Sequence, residues 1–83
     1  MTATDQNIFD QTASVIRAHF RVDDRTHIGP ETSSEDLPGW DSLSHTLLIL
    51  AVEERFGIEL PPDRTFDLEN VGALVALIGQ TLP

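Results

Sequence analysis

Apolar positions recur along the chain with a helical period in three places. Between about Asp5 and Phe20, the residues Phe9, Ala13, Ile16 and Phe20 fall at spacings of four, three and four, and Ile8 and Val15 widen the stripe. That pattern predicts a helix with one buried face, and Thr4 or Asp5 is suited to cap its start. From Ser42 to Phe56, Leu48, Val52 and Phe56, joined by Ile49, form one apolar face. Leu43, Leu47 and Leu50 form a second, which runs on to Glu54. Asp41 is the expected N-cap, because its carboxylate can accept from the free first-turn amides, and Gly57 the expected residue just past the end. From Glu69 or Asn70 to Leu82 a last helix is predicted, with Val71, Leu74, Val75 and Ile78 on its buried face, Leu77 and Leu82 flanking, and Asn70 as cap.

The intervening segments break the period. Arg21 to Trp40 contains Gly29, Pro30, Pro38 and Gly39 together with Thr32-Ser33-Ser34, all turn signals. A connection of about twenty residues is long for a compact domain, and such loops are either disordered or functional. Val22, Ile28, Leu37 and Trp40 are spaced along it, so it is expected to be ordered and folded back over the core. Ile58-Glu59-Leu60-Pro61-Pro62 interrupts the chain again, and Asp63 to Leu68 has room for one or two helical turns. The class is all-α. Nothing in the pattern divides the 83 residues, which suit one domain, residues 1–83, with one small core.

Two apolar stripes on the central helix are more than a small bundle ordinarily needs. Either that helix is buried on most of its circumference, or one stripe is reserved for a partner. We favour the second reading, with Leu43, Leu47 and Leu50 as the reserved stripe.

Composition narrows the function. There are 14 acidic residues against 5 basic ones, all arginine, for a formal net charge of −9. Such a surface repels nucleic acid and anionic lipid and attracts partners with basic patches, although charge also simply keeps a small domain soluble. The chain has no cysteine and no lysine. A disulfide or thiolate metal site is therefore excluded, and no thiol or lysine amine can carry a covalent intermediate. Acyl chemistry here requires a reactive atom from an attached group. No apolar run approaches a membrane span, and the N-terminus lacks a signal-peptide pattern, so a soluble, cytoplasmic, monomeric protein is expected.

At the junction of the long loop and the central helix stands Gly39-Trp40-Asp41-Ser42-Leu43. A serine in the first turn of a helix lies where free amides and the helix dipole favour a phosphate, although Asp41 partly opposes one. An isolated Asp-Ser pair is more often just a helix cap. Here it opens a helix that closes in Val52-Glu53-Glu54-Arg55-Phe56-Gly57-Ile58-Glu59-Leu60-Pro61.

With that spacing and helix order the chain resembles the acyl carrier protein family over nearly its whole length. The resemblance implies a four-helix bundle of acyl-carrier type, with a long loop between helices 1 and 2 and a short third helix. It also implies a protein that is not an enzyme. Ser42 matches the serine to which a phosphopantetheinyl transferase attaches 4'-phosphopantetheine from coenzyme A, using the transferase's own magnesium ion; the arm's thiol then holds acyl groups as thioesters. Asp41 matches the acidic residue associated with the transferase site, and Leu43 the apolar residue that partners pack against. Glu53 and Glu54 match acidic positions that meet partner arginines and lysines. Implied partners are the transferase, a loading enzyme (acyltransferase or adenylating ligase), and downstream synthase or tailoring enzymes.

His45, Thr46, Leu47 and Arg55 depart from the common fatty-acid pattern. The Trp-Asp-Ser-Leu-x-His run looks more like discrete carriers of polyketide and related specialised pathways. A peptidyl or aminoacyl carrier, which more often shows Gly-Gly-x-Ser before the helix, and an unmodified helical interaction module are the competing readings. A Ser42–His45 catalytic pair is disfavoured: both are expected to project outward, with no orienting acid, nucleophile elbow or oxyanion hole. His19, His27 and His45 lack metal-ligand spacing, and Asp23-Asp24 and Glu35-Asp36 lack the pattern of an EF-hand loop.

Overall fold

The computed structural model describes residues 2–82, with side chains from residue 6 onward. The described residues form four helices and no strand: α1 (Thr2–Phe20), α2 (Ser42–Phe56), α3 (Pro62–Thr65) and α4 (Val71–Thr81). The all-α order expected from the sequence is the order observed. α1 packs against both α2 and α4.

α1 begins earlier than expected. Thr4 and Asp5 lie inside the helix rather than at its cap, and their side chains fall outside the described residues. Its buried face is Ile8, Thr12, Ala13 and Ile16, while Phe9 and Phe20 are half-buried flanks. Thr12 is fully buried because its hydroxyl donates to the Ile8 carbonyl at 2.7 Å, so burial strands no polar atom. The helix ends in a left-handed residue, Arg21 (φ 56°), and the Val22 amide reaches back to the Arg17 carbonyl at 3.1 Å. That five-residue return satisfies a carbonyl that the helix leaves open.

The long loop is ordered by hydrogen bonds to the helices. The Arg17 guanidinium donates to the carbonyls of Asp23 and Thr26, each at 2.8 Å. Ile28 and Leu37 are buried in the core, and Val22 and Trp40 pack against it. The Thr32 and Pro30 carbonyls accept from the amides of Val71 and Gly72, each at 2.8 Å. The loop thereby caps the first turn of α4, and Asn70 completes the cap by accepting from the Ala73 amide at 2.9 Å. Gly72 permits this approach: a Cβ there would lie 3.0 Å from the Pro30 carbonyl oxygen.

On α2, Leu48, Ile49 and Val52 enter the core, where they meet Leu60 and the α4 residues Val71, Leu74, Leu77 and Ile78. Leu77 is fully inside, whereas Val75 is half-buried, reversing the expected roles. α4 packs on α1 and receives the loop at its first turn, and between them these contacts bury Leu77 rather than Val75. Gly57 takes the left-handed conformation (φ 66°) past the end of α2. α3 is a single turn opened by Pro62, shorter than the Asp63–Leu68 span expected. No helix of the described residues is long and apolar enough to cross a membrane.

Candidate functional site

The loop delivers the chain to α2 through Gly39, which has a positive φ of 85°, and Trp40. Asp41 then adopts an extended conformation, and its Oδ1 accepts from the Ser44 amide at 2.9 Å. It is the expected N-cap. That backbone hydrogen bond is the main cause holding the Asp41 carboxyl below the ordinary aspartate range.

Ser42 is the first residue of α2 and is exposed. Its backbone carbonyl accepts from the Thr46 hydroxyl at 3.1 Å. Its own hydroxyl makes no hydrogen bond among the described residues, and it stands at the N-terminal end of α2, where the helix dipole favours negative charge. Beside it opens a groove of about 380 Å³. Its lining mixes aromatic and aliphatic residues (Trp40, Phe66, Leu68) with polar ones (Ser34, Glu69, Asn70).

His45 does not project outward beside Ser42, contrary to the sequence expectation. It is half-buried, with Nδ1 accepting from Trp40 Nε1–H at 3.1 Å and Nε2 at 2.7 Å from the Thr65 carbonyl. Both ring nitrogens are committed to the fold, so no serine–histidine pair forms.

The second stripe of α2 faces solvent. Leu43, Leu47 and Leu50 are 69%, 46% and 52% exposed, and Glu54 is exposed beyond them on the same side of the helix. The open alternative is thereby decided against burial. Glu53 is differently placed: it is half-buried, and its Oε2 accepts from the Leu60 amide at 2.7 Å, pinning the turn after α2. Phe66, 77% exposed at the rim of the groove, carried no periodic signal in the sequence because it lies outside any long helix.

Residues 13–78 match the family described as phosphopantetheine attachment site. An acyl carrier protein of Helicobacter pylori (strain G27) is 35% identical over 71 residues, covering 86% of this chain and 90% of that protein. The chain belongs to the acyl carrier protein family. An acyl carrier protein of Streptomyces coelicolor is 31% identical over 83 residues, covering 98% of this chain and 88% of that one. The solution structure of a holo acyl carrier protein from Geobacter metallireducens superposes with a TM-score of 0.78 at 34% identity, covering 88% of this chain and 83% of that one. The cofactor of this carrier is covalent phosphopantetheine. The corner around Ser42 fits such a group: it offers an exposed serine whose hydroxyl bonds to no described residue, the positive end of the α2 dipole, and an adjoining groove open to solvent.

Proposed function

We propose that Ser42 carries the phosphopantetheine arm, and that the whole chain acts as one discrete carrier domain presenting thioester-bound acyl intermediates to separate enzymes. The observation that carries this reading is exposed Ser42 at the start of α2, its hydroxyl bonded to none of the described residues. In attachment, the Ser42 oxygen forms the new bond to phosphorus, coenzyme A loses its nucleotide bisphosphate, and the serine proton passes to a base on the transferase. The arm supplies the thiol that a cysteine-free chain lacks. Asp41 keeps the first turn of α2 formed and so holds Ser42 outward. The chain itself does no bond-making on the cargo; it carries rather than catalyses.

Partners are enzymes that present a basic rim and an apolar pocket: the transferase, an acyltransferase or adenylating ligase for loading, and downstream synthase or tailoring enzymes. Leu43, Leu47 and Leu50 supply the apolar contact, and Glu54 the charge beside it. Glu53 contributes through its free oxygen while its other oxygen holds the Leu60 amide. Such exposed charges add little affinity each but steer encounter. The apolar stripe through Leu43, Leu47 and Leu50 suits dedicated partners, and we assign the carrier to polyketide or related specialised metabolism in the cytoplasm, acting as a monomer.

Incubation with coenzyme A and a broad-range phosphopantetheinyl transferase, read by intact mass, tests the reading. The parent chain gains one phosphopantetheinyl group and Ser42→Ala gains none. An adduct that persists in Ser42→Ala, or a parent chain that stays unmodified, contradicts it. Loading of the modified chain by an acyltransferase but not by an amino-acid adenylating ligase separates the acyl from the aminoacyl carrier.

A further inference from the structure

Trp40, His45 and Thr65 come from the loop, α2 and α3 and are joined in one line of hydrogen bonds. The direction of that line is fixed by chemistry. Indole nitrogen only donates and a backbone carbonyl only accepts. Nδ1 of His45 must therefore be the unprotonated nitrogen, accepting from Trp40, and Nε2 must carry the hydrogen, donating to Thr65. One tautomer of neutral imidazole satisfies both contacts. The imidazolium satisfies only one, because its Nδ1–H would face the indole N–H. The rings of Trp40 and His45 also lie nearly parallel, with centroids 6.2 Å apart and 19° between planes, and Trp40 packs on Phe20 of α1 at 5.1 Å.

These residues also bound the groove at Ser42. Trp40 and His45 line it directly, and Phe66 at its rim follows Thr65 in the chain. α3 is one turn long: its amides at Arg64 and Thr65 both donate to the Pro61 carbonyl, at 3.0 and 3.2 Å, and the Arg64 guanidinium ties it to α4 by donating to Gln80 Oε1 at 3.1 Å. The tie from His45 to the Thr65 carbonyl is the polar link that fixes α3 to α2.

We propose that Trp40, His45 and Thr65 form a latch that positions α3 and the loop around the Ser42 groove, and that protonation of His45 opens it at its Trp40 end. The neighbouring ionisable groups do not oppose opening. Asp41 at the loop junction and Glu69 on the connection to α4 line the same groove and are exposed; His19 of α1 approaches the Ser44 carbonyl at 3.2 Å. Asn70 and Leu74 complete the α4 side without charge. An imidazolium repelled by the Trp40 indole has two carboxylates at the groove to meet its charge, so the Trp40 bond is lost while Nε2–H keeps the Thr65 carbonyl. The consequence for an attached arm rests on the Ser42 reading; the latch itself is a property of the unmodified chain.

Nitrogen-15 NMR of the unmodified full chain between about pH 8 and pH 5, the range in which histidine side chains ordinarily change charge, tests the latch apart from Ser42. Trp40 is the only tryptophan, so its indole N–H signal is unambiguous. The expected result is a pure Nε2–H tautomer of His45 at the upper end. As His45 protonates, the Trp40 indole signal shifts with the same midpoint. Exchange of the Trp40 indole N–H then rises about tenfold, the equivalent of one ordinary hydrogen bond. In Trp40→Phe, which keeps an aromatic ring but removes the donor, His45 keeps its Nε2–H tautomer through Thr65; in His45→Phe the pH response of the indole signal disappears. An Nδ1–H tautomer in the parent, or an indole signal that ignores His45 titration, overturns the proposal. A latch that behaves as described in a chain the transferase leaves unmodified upholds the latch and removes the Ser42 reading.

Discussion

At Asp41 one side chain does two things that can be separated. It caps α2 through the Ser44 amide, and it places a negative charge next to Ser42. Because the hydrogen bond holds its pKa below the ordinary aspartate range, its contribution to stability is complete above the pKa of an unfolded aspartate. It is lost as the pH falls through the lower folded value. Asp41→Ala is therefore expected to lower Tm by several degrees at neutral pH, with the gap from the parent closing in strongly acidic solution. Asp41→Asn keeps an acceptor and the cap, and should track the parent at neutral pH. Thermal unfolding followed by circular dichroism across a pH series checks both. If Asp41→Asn melts like Asp41→Ala at neutral pH, the charge rather than the cap is what stabilises.

α2 has two faces with opposite duties, and adjacent residues show it. Leu48 is fully buried and Leu47 is 46% exposed. Leu48→Ala opens a cavity in the core and is expected to cost about 2–5 kcal/mol. Leu47→Glu removes no core contact, so its stability should stay within about 0.5 kcal/mol of the parent, while turnover by enzymes that act on the loaded carrier falls. Denaturant unfolding and a loading assay on the same preparations separate the two. A Leu47→Glu chain that unfolds with Leu48→Ala would place the second stripe in the core. The sequence announced both faces of α2, its Asp41 cap and its Gly57 stop, because period and cap chemistry are local. It did not announce Thr12 as a core residue, since a threonine becomes tolerable there only when its hydroxyl turns back to the Ile8 carbonyl. Nor did it rank Leu77 above Val75, which depends on where α1 and the loop meet α4.

Over the whole molecule, the long loop ties the helices together: Arg17 binds its beginning, the Pro30 and Thr32 carbonyls cap α4, and Trp40 leads into α2. Its order was foreseeable from four spaced apolar residues; its partners were not, because those contacts join residues far apart in the chain. The same limit hid His45, whose binding to Thr65 spans 20 positions. The net charge of −9 also acts on this scale. Association with basic partner enzymes should slow by on the order of tenfold as salt rises from low to high ionic strength, measured as kon by stopped flow; a rate indifferent to salt would remove charge steering. Most direct of all is a count of thiols. The unmodified chain contains none, so after treatment with coenzyme A and a transferase, followed by removal of free coenzyme, titration should find one thiol per parent chain and none in Ser42→Ala. Equal thiol content in the two chains, whether one or zero, contradicts the account.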